Sequence, residues 1–329
     1  MPGDKLLWYA SFMMVISAGL PLVQILLAIK CFPECRMRFA YWRDWKRLRS
    51  LFAYAGWVSF GGGGGSLIGH QGSTLVTNHY FGTAINASYG IAGTLANHTQ
   101  TLSNSLMGAL SPAVTTREGS GDRQGTLRLA NRTGKFGAFL ILLFAVPMAL
   151  EMKTLLLLWL GRIPDHVVLI CVMGLAGAVI EKFTLGFQMA IAATGRIALW
   201  QFTGGILNVL IFPFAWLFAA VGIGPVSAAM AILMCPCCTF WTNLFFAKRI
   251  LGADVLDYLR HGVMPVVLLV VLSAGTGSIS LAMFHPTWWR VLITTALCLS
   301  VLCYFGWGLV LSQEERHFIS GKVRNLLHK

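Results

Sequence analysis

Between Arg49 and Arg117 the chain carries no Asp, Glu, Lys or Arg, and within that stretch stands FGGGGG, residues 60 to 65. A glycine run on its own reads as a flexible linker, but this one is flanked on both sides by apolar residues. Across the whole chain of 329 residues, 56% are hydrophobic and 11% charged, against about 25% charged in a soluble domain. One soluble core cannot hide so much apolar surface, so the solvent is lipid. The 11 Trp fit rings held at the headgroup level.

A spanning helix needs about 20 apolar residues. Nine stretches qualify: 6–29, 51–80, 82–111, 134–158, 166–192, 198–220, 226–247, 262–284 and 287–311. The expected fold class is therefore all-α, a polytopic membrane helix bundle. The basic residues set its orientation. With the N-terminus outside, 20 of the 25 Lys and Arg fall in the inside segments 30–50, 112–135, 193–197, 248–261 and 312–329. Four fall outside (Lys5, Lys153, Arg162 and Arg290), and Lys182 is left within a span. Positive charge collects on the cytoplasmic side, which puts the C-terminus there. The same pattern accounts for the net charge of +13 without nucleic acid.

Several motifs are absent or bland. The first apolar run is too long for a signal-peptide core and lacks a basic start and an A-x-A site. The eight Cys make no disulfide framework, since most sit in apolar runs and Cys31 and Cys35 sit in a basic loop. CPCC at 235–238 has no His or carboxylate nearby to complete a metal site, and Pro236 reads as a helix kink. Asn86, Asn97 and Asn131 open N-x-[ST] sequons by chance, two within spans and one in an inside loop. No G-K-[ST] follows the glycines, so they cradle no phosphate, and no HExxH, paired acidic or Cys/His constellation marks an enzyme. No cofactor is implied; an H+ or Na+ gradient would supply the drive.

On a helix, Gly61, Gly65, Gly69 and Ser73 form one small-residue ridge of the GxxxG type. Gly62, Gly63 and Gly64 weaken the same helix from its other faces, each by about 0.8–1 kcal/mol relative to Ala. The segment is thus expected to pack closely, to bend, or to do both. Polar side chains crowd the same two spans, among them Gln71, Asn78, Asn86, Asn97 and Asn104. They are costly in lipid, so they either bond between helices or line a polar cavity. Glu181 and Lys182 lie near the middle of 166–192, and being about 100° apart on a helix they cannot both face lipid. Lys182 would attract an anion and Glu181 would carry a coupled proton, or each would pair with a neighbouring helix. The inside arginines suit phosphate or anionic lipid heads, with Arg117 the best placed for a substrate because it follows Pro112 at a helix end.

The ordered series CFPECRMRFAYWRDWKRLRSLFAYAGW, HQGSTLVTNHYFGTAINASYGIAGTLANHTQTLSNSLMGALSPAV, GDRQGTLRLANRTGKF, LLLLWLGRIPDHVV, ATGRIALWQ and FFAKRILGADVLDYLR resembles the multidrug/oligosaccharidyl-lipid/polysaccharide flippase superfamily. The likeness is greatest to bacterial oligosaccharide and O-antigen flippases, which share the fold of the MATE drug exporters. It implies that 1–50 holds the last helix of a first lobe and a basic cytoplasmic loop. It makes 51–250 a second six-helix lobe, and 251–329 two further helices with a basic tail. The family's first five helices, about 150 residues, have no counterpart here. The implied function is movement of a lipid-linked oligosaccharide or polysaccharide precursor across a bacterial inner membrane. The implied partners are membrane lipids, the lipid-linked oligosaccharide, and a first-lobe partner or a homo-oligomer. MATE-like drug or cation antiport and a non-transporting membrane subunit are the alternatives. The path residues carried forward are Gln71, Asn78, Asn86, Asn97, Asn104, Arg117, Glu181 and Lys182.

Overall fold

Lipid offers backbone N–H and C=O groups no water, so a chain this apolar must close them within helices. The computed structural model describes residues 3–32 and 45–309, and every regular element among them is helical. Cys35 and the tail HFISGKVRNLLHK lie outside the described residues.

The chain divides into two compact units, Met1–Ala53 and Tyr54–Lys329. In the first, helix α1 (Gly3–Cys31) contains an apolar window of which nothing is buried. Its Phe12, Leu20 and Leu26 are exposed, as suits a helix with lipid around it. Helix α2 (Trp45–Val58) begins in this unit and ends in the next.

The second unit opens on a π-helical turn, Ser59–Gly64, and continues as α3, Gly65–Gly119. At 55 residues α3 would rise about 80 Å, far beyond a hydrocarbon core of about 30 Å. It is divided at Gly82, whose φ of 81° and ψ of 175° suit glycine alone. There follow α4 (Arg123–Leu150), α5 (Met152–Leu160), α6 (Val167–Phe183), α7 (Leu185–Ala193), α8 (Ala198–Ala220) and α9 (Ser227–Phe246). A short α10 (Val255–Tyr258), α11 (Met264–Met283) and α12 (Trp288–Leu309) complete the unit. The Asp122 side chain caps α4 by accepting from the Gly125 N–H at 2.9 Å. Asp254 does the same for α10 through Leu256 and Asp257.

Among the described residues, six helices are long and apolar enough to cross a membrane, or seven if α6 and α7, bent by 45°, make one span. The expected 6–29, 198–220, 226–247, 262–284 and 287–311 each coincide with one of the six. The expected 166–192 is the bent pair. The other two expected spans, 51–80 and 82–111, are helical but too polar and glycine-rich to match the others in hydropathy. One span needs correction. The expected 134–158 is interrupted, because α4 ends at Leu150 and Glu151 turns inward as a buried charge with its partner on α12. That partner would be lost to a straight helix in lipid.

The glycine ridge is occupied. A Cβ at Gly61 would fall 2.7 Å from the Gln201 carbonyl oxygen, one at Gly65 2.6 Å from that of Gly205, and one at Gly69 would collide with that of Asn208. The backbone of α3 therefore rests on the backbone of α8, the close approach that small residues permit. Gly62 and Gly63 meet nothing within 4 Å. Packing is the role of Gly61, Gly65 and Gly69, and the bend the run was expected to supply takes the milder form of the π-helical turn. The sharp backbone departure is at Gly82 instead.

The two glycine sets make opposite predictions. Gly65→Val or Gly69→Val would overpack the α3–α8 contact and cost about 1–3 kcal/mol. Gly62→Ala or Gly63→Ala would stabilise the helix by up to about 1 kcal/mol. Thermal unfolding of the purified protein in detergent separates them by the sign of the shift.

Candidate functional site

The break between α6 and α7 gathers the bundle's buried polar groups. Lys182 sits in the last turn of α6, where the helix C-terminus favours a cation, and is 1% exposed. A buried ammonium needs partners. Its Nζ donates to Asn104 Oδ1 of α3 at 2.8 Å and lies 3.8 Å from Glu181 Oε1. Glu181 keeps 46% of its side chain exposed, so the carboxylate is half hydrated while the ammonium is enclosed. Of the two, Lys182 turns into the bundle.

Two residues further on, Thr184 ties the break to two more helices. Its Oγ accepts from Asn243 Nδ2 of α9 at 2.9 Å and from Gln188 Nε2 at 3.4 Å. Asn243 Oδ1 in turn accepts from Trp200 Nε1 of α8 at 2.7 Å. The Tyr258 hydroxyl donates to the Phe183 carbonyl, one of the acceptors freed where α6 stops. Glycines let α4 close over the junction: a Cβ at Gly134 would meet the Phe183 carbonyl, and one at Gly186 would meet Ala130. The interrupted backbone is thus met by protein donors and by close packing, the condition under which broken helices persist at membrane depth.

Asn104 also belongs to the outer surface of α3. Gly90, Gly93, Asn97, Thr101, Asn104 and Gly108 recur at helical spacing and are all exposed, and a Cβ at any of these three glycines would meet nothing within 4 Å. Among the described residues, the large exposed hydrophobics stop at Tyr80 and resume at Phe144. Elsewhere the surface carries Leu199, Trp216, Val271, Leu292 and Tyr304. One stripe of the molecule is therefore small and polar, and the remaining exposed faces are those of a lipid-bathed bundle.

Of the sequence-derived path residues, Asn104, Glu181 and Lys182 come together at the break. Asn97 lies about two helical turns from Asn104 on the stripe, and Gln71 is exposed on the other arm of α3. Asn78 and Asn86 are half-buried, and the Asn78 carbonyl oxygen meets no donor. Arg117 is far along α3 from the break, exposed, with its Nη1 3.8 Å from Asp122. Sequence reasoning overlooked Thr184, Trp200, Asn243 and Tyr258. Asn243, an amide inside an apolar run, was the detectable one; the other three are ordinary residues until the fold joins them. It also overlooked Glu151, whose partner lies 139 positions away. CPCC has a packing role at Pro236, whose ring is 3.3 Å from where a Cβ of Gly177 would stand.

No protein-family model, no curated protein and no solved structure matches this chain.

The enclosure of Lys182 predicts an asymmetry. Asn104→Leu removes the acceptor and strands a buried cation, at a cost of about 1–3 kcal/mol or more. Lys182→Met removes the charge itself and should cost less. Unfolding midpoints of the two variants in detergent test this, and equal losses would mean that Asn104 is not the partner that matters.

Proposed function

We propose that this chain forms one wall of a membrane translocation path for lipid-linked oligosaccharide, with the exposed stripe of α3 as that wall. The carrying observation is that Gly90, Gly93, Asn97, Thr101, Asn104 and Gly108 are exposed at helical spacing on α3, on a molecule whose surface elsewhere is rich in large hydrophobics. Polar side chains that face lipid are costly, so the stripe faces water or other protein. Its amides and hydroxyls both donate and accept hydrogen bonds, which matches the hydroxyls of a sugar head. A cationic drug would call for carboxylates, but the stripe residues named above include none, and Glu181 is linked to Asn104 only through Lys182. The chemistry therefore favours a sugar over the antiporter alternative.

The resemblance to oligosaccharide flippases leads to the same substrate and to a bacterial inner membrane, with nine spans and the C-terminus in the cytoplasm. The opposite wall is a first-lobe partner or a second copy of the chain. Two walls that alternate around a shared site give each membrane side access in turn. An ion gradient drives the cycle, with Glu181 as the candidate proton carrier.

Thr101→Trp and Gly93→Trp fill the stripe without touching the buried break. In a strain that depends on this chain for surface polysaccharide, both should lower surface polymer about tenfold or more, equivalent to ~1.4 kcal/mol, at unchanged membrane abundance. Normal polymer from both variants would rule out the stripe as the path. Glu181→Gln in the same strain isolates the proton role, which full activity of that variant would remove.

A further inference from the structure

At the opposite end of the bundle's polar inventory stands a second buried charge cluster, where α4 gives way to α5. Glu151 has no exposed side-chain surface, and Arg290 near the start of α12 has 11%. The guanidinium grips the carboxylate with two prongs, Nε to Oε1 at 2.9 Å and Nη2 to Oε2 at 2.8 Å. Thr294 donates to Oε1 and Thr154 to Oε2, each at 2.9 Å. Arg290 also reaches Thr154 Oγ at 2.9 Å and the Phe284 carbonyl at 3.4 Å, and Ser280 of α11 bonds Thr294 at 2.6 Å. Residues from α5 and α12 thus converge on one carboxylate at the end of α4, and Ser280 joins α11 to them through Thr294.

We propose that Glu151 and Arg290 form a clamp that fixes the α11–α12 pair in a single register against α4 and α5, so that these helices move as one body. Apolar packing between helices admits neighbouring registers at similar energy, since sliding by a turn exchanges one apolar contact for another. The clamp does not. A fork-on-fork pair has a fixed geometry, and a slipped register would leave both charges buried and unpaired. The α11–α12 surface is otherwise apolar enough to need such a pin: Val266, Leu269, Cys298 and Leu302 pack with Leu142 and Val146 of α4. This holds whatever the bundle transports.

The clamp stays closed at neutral pH. Burial disfavours the Glu151 carboxylate, but the hydrogen bonds from Arg290, Thr294 and Thr154, with the Arg290 charge, outweigh it and hold the group below the usual carboxylate range. Arg290 is the only ionised group facing it in these bonds; Thr154 and Thr294 are neutral. A folded-state value below the unfolded one gives stability that is complete above about pH 4.3 and is lost as pH falls through the lowered value. Protonation has a geometric penalty too, because arginine N–H groups can only donate.

Spin labels carried by unnatural amino acids at Leu157 and Leu292, both exposed, report the register as a distance distribution in the full-length protein in nanodiscs. The wild type should give one narrow peak. Arg290→Gln and the neutral pair Glu151→Gln/Arg290→Gln should both give a broadened or split peak. The pair carries no unpaired charge and so separates loss of register from failure to fold. Acid should broaden the wild-type peak and leave the pair variant unchanged. A narrow wild-type-like peak in the folded pair variant would overturn the clamp, as would the same acid broadening in both.

Discussion

Backbone contact between α3 and α8 organises this bundle. Gly61, Gly65 and Gly69 meet the backbone carbonyls of Gln201, Gly205 and Asn208, so the two helices approach backbone to backbone. In lipid such contacts replace the hydrophobic drive that water would supply. The glycine face of α3 is spent on α8, and the second arm of the same helix packs against α4 and α6. Its remaining face, small and polar, is left outward.

Two kinds of buried charge then serve different ends. Lys182 is enclosed but asymmetric: its ammonium is held by a neutral amide at 2.8 Å and by a half-exposed carboxylate at 3.8 Å. Glu151 has every oxygen doubly bonded by fixed donors. The first arrangement has fewer partners, and it lies at a helix break. The second resists change and lies where whole helices are joined. The two charges thus differ in the number of hydrogen bonds that hold them.

Much of the helical layout could be read from residue order alone, because spans such as 198–220 are set by apolar length. The GxxxG ridge was also legible, since its spacing of four requires only a helix. The break near Gly82 was legible as the boundary between the expected spans 51–80 and 82–111, but a single glycine among 35 gives no local sign that its φ will be positive. The interruption at Glu151 was hidden for a different reason. A carboxylate at the end of an apolar run looks like a loop residue until its arginine arrives from α12. At the candidate site, Lys182 declared itself by charge in lipid, whereas Thr184 and Trp200 acquire their roles only through Asn243, a contact across 59 and 43 positions.

Gly82 has a consequence for how the chain is made. Its bend divides a helix whose arms are both less apolar than their neighbours, and the glycine face of the first arm finds its partner only in α8. Synthesis delivers α3 to the membrane well before α8 leaves the ribosome. During that interval the arm must stay beside the insertion machinery or a chaperone, with its ridge uncovered, and the order of helix production becomes part of what the fold requires.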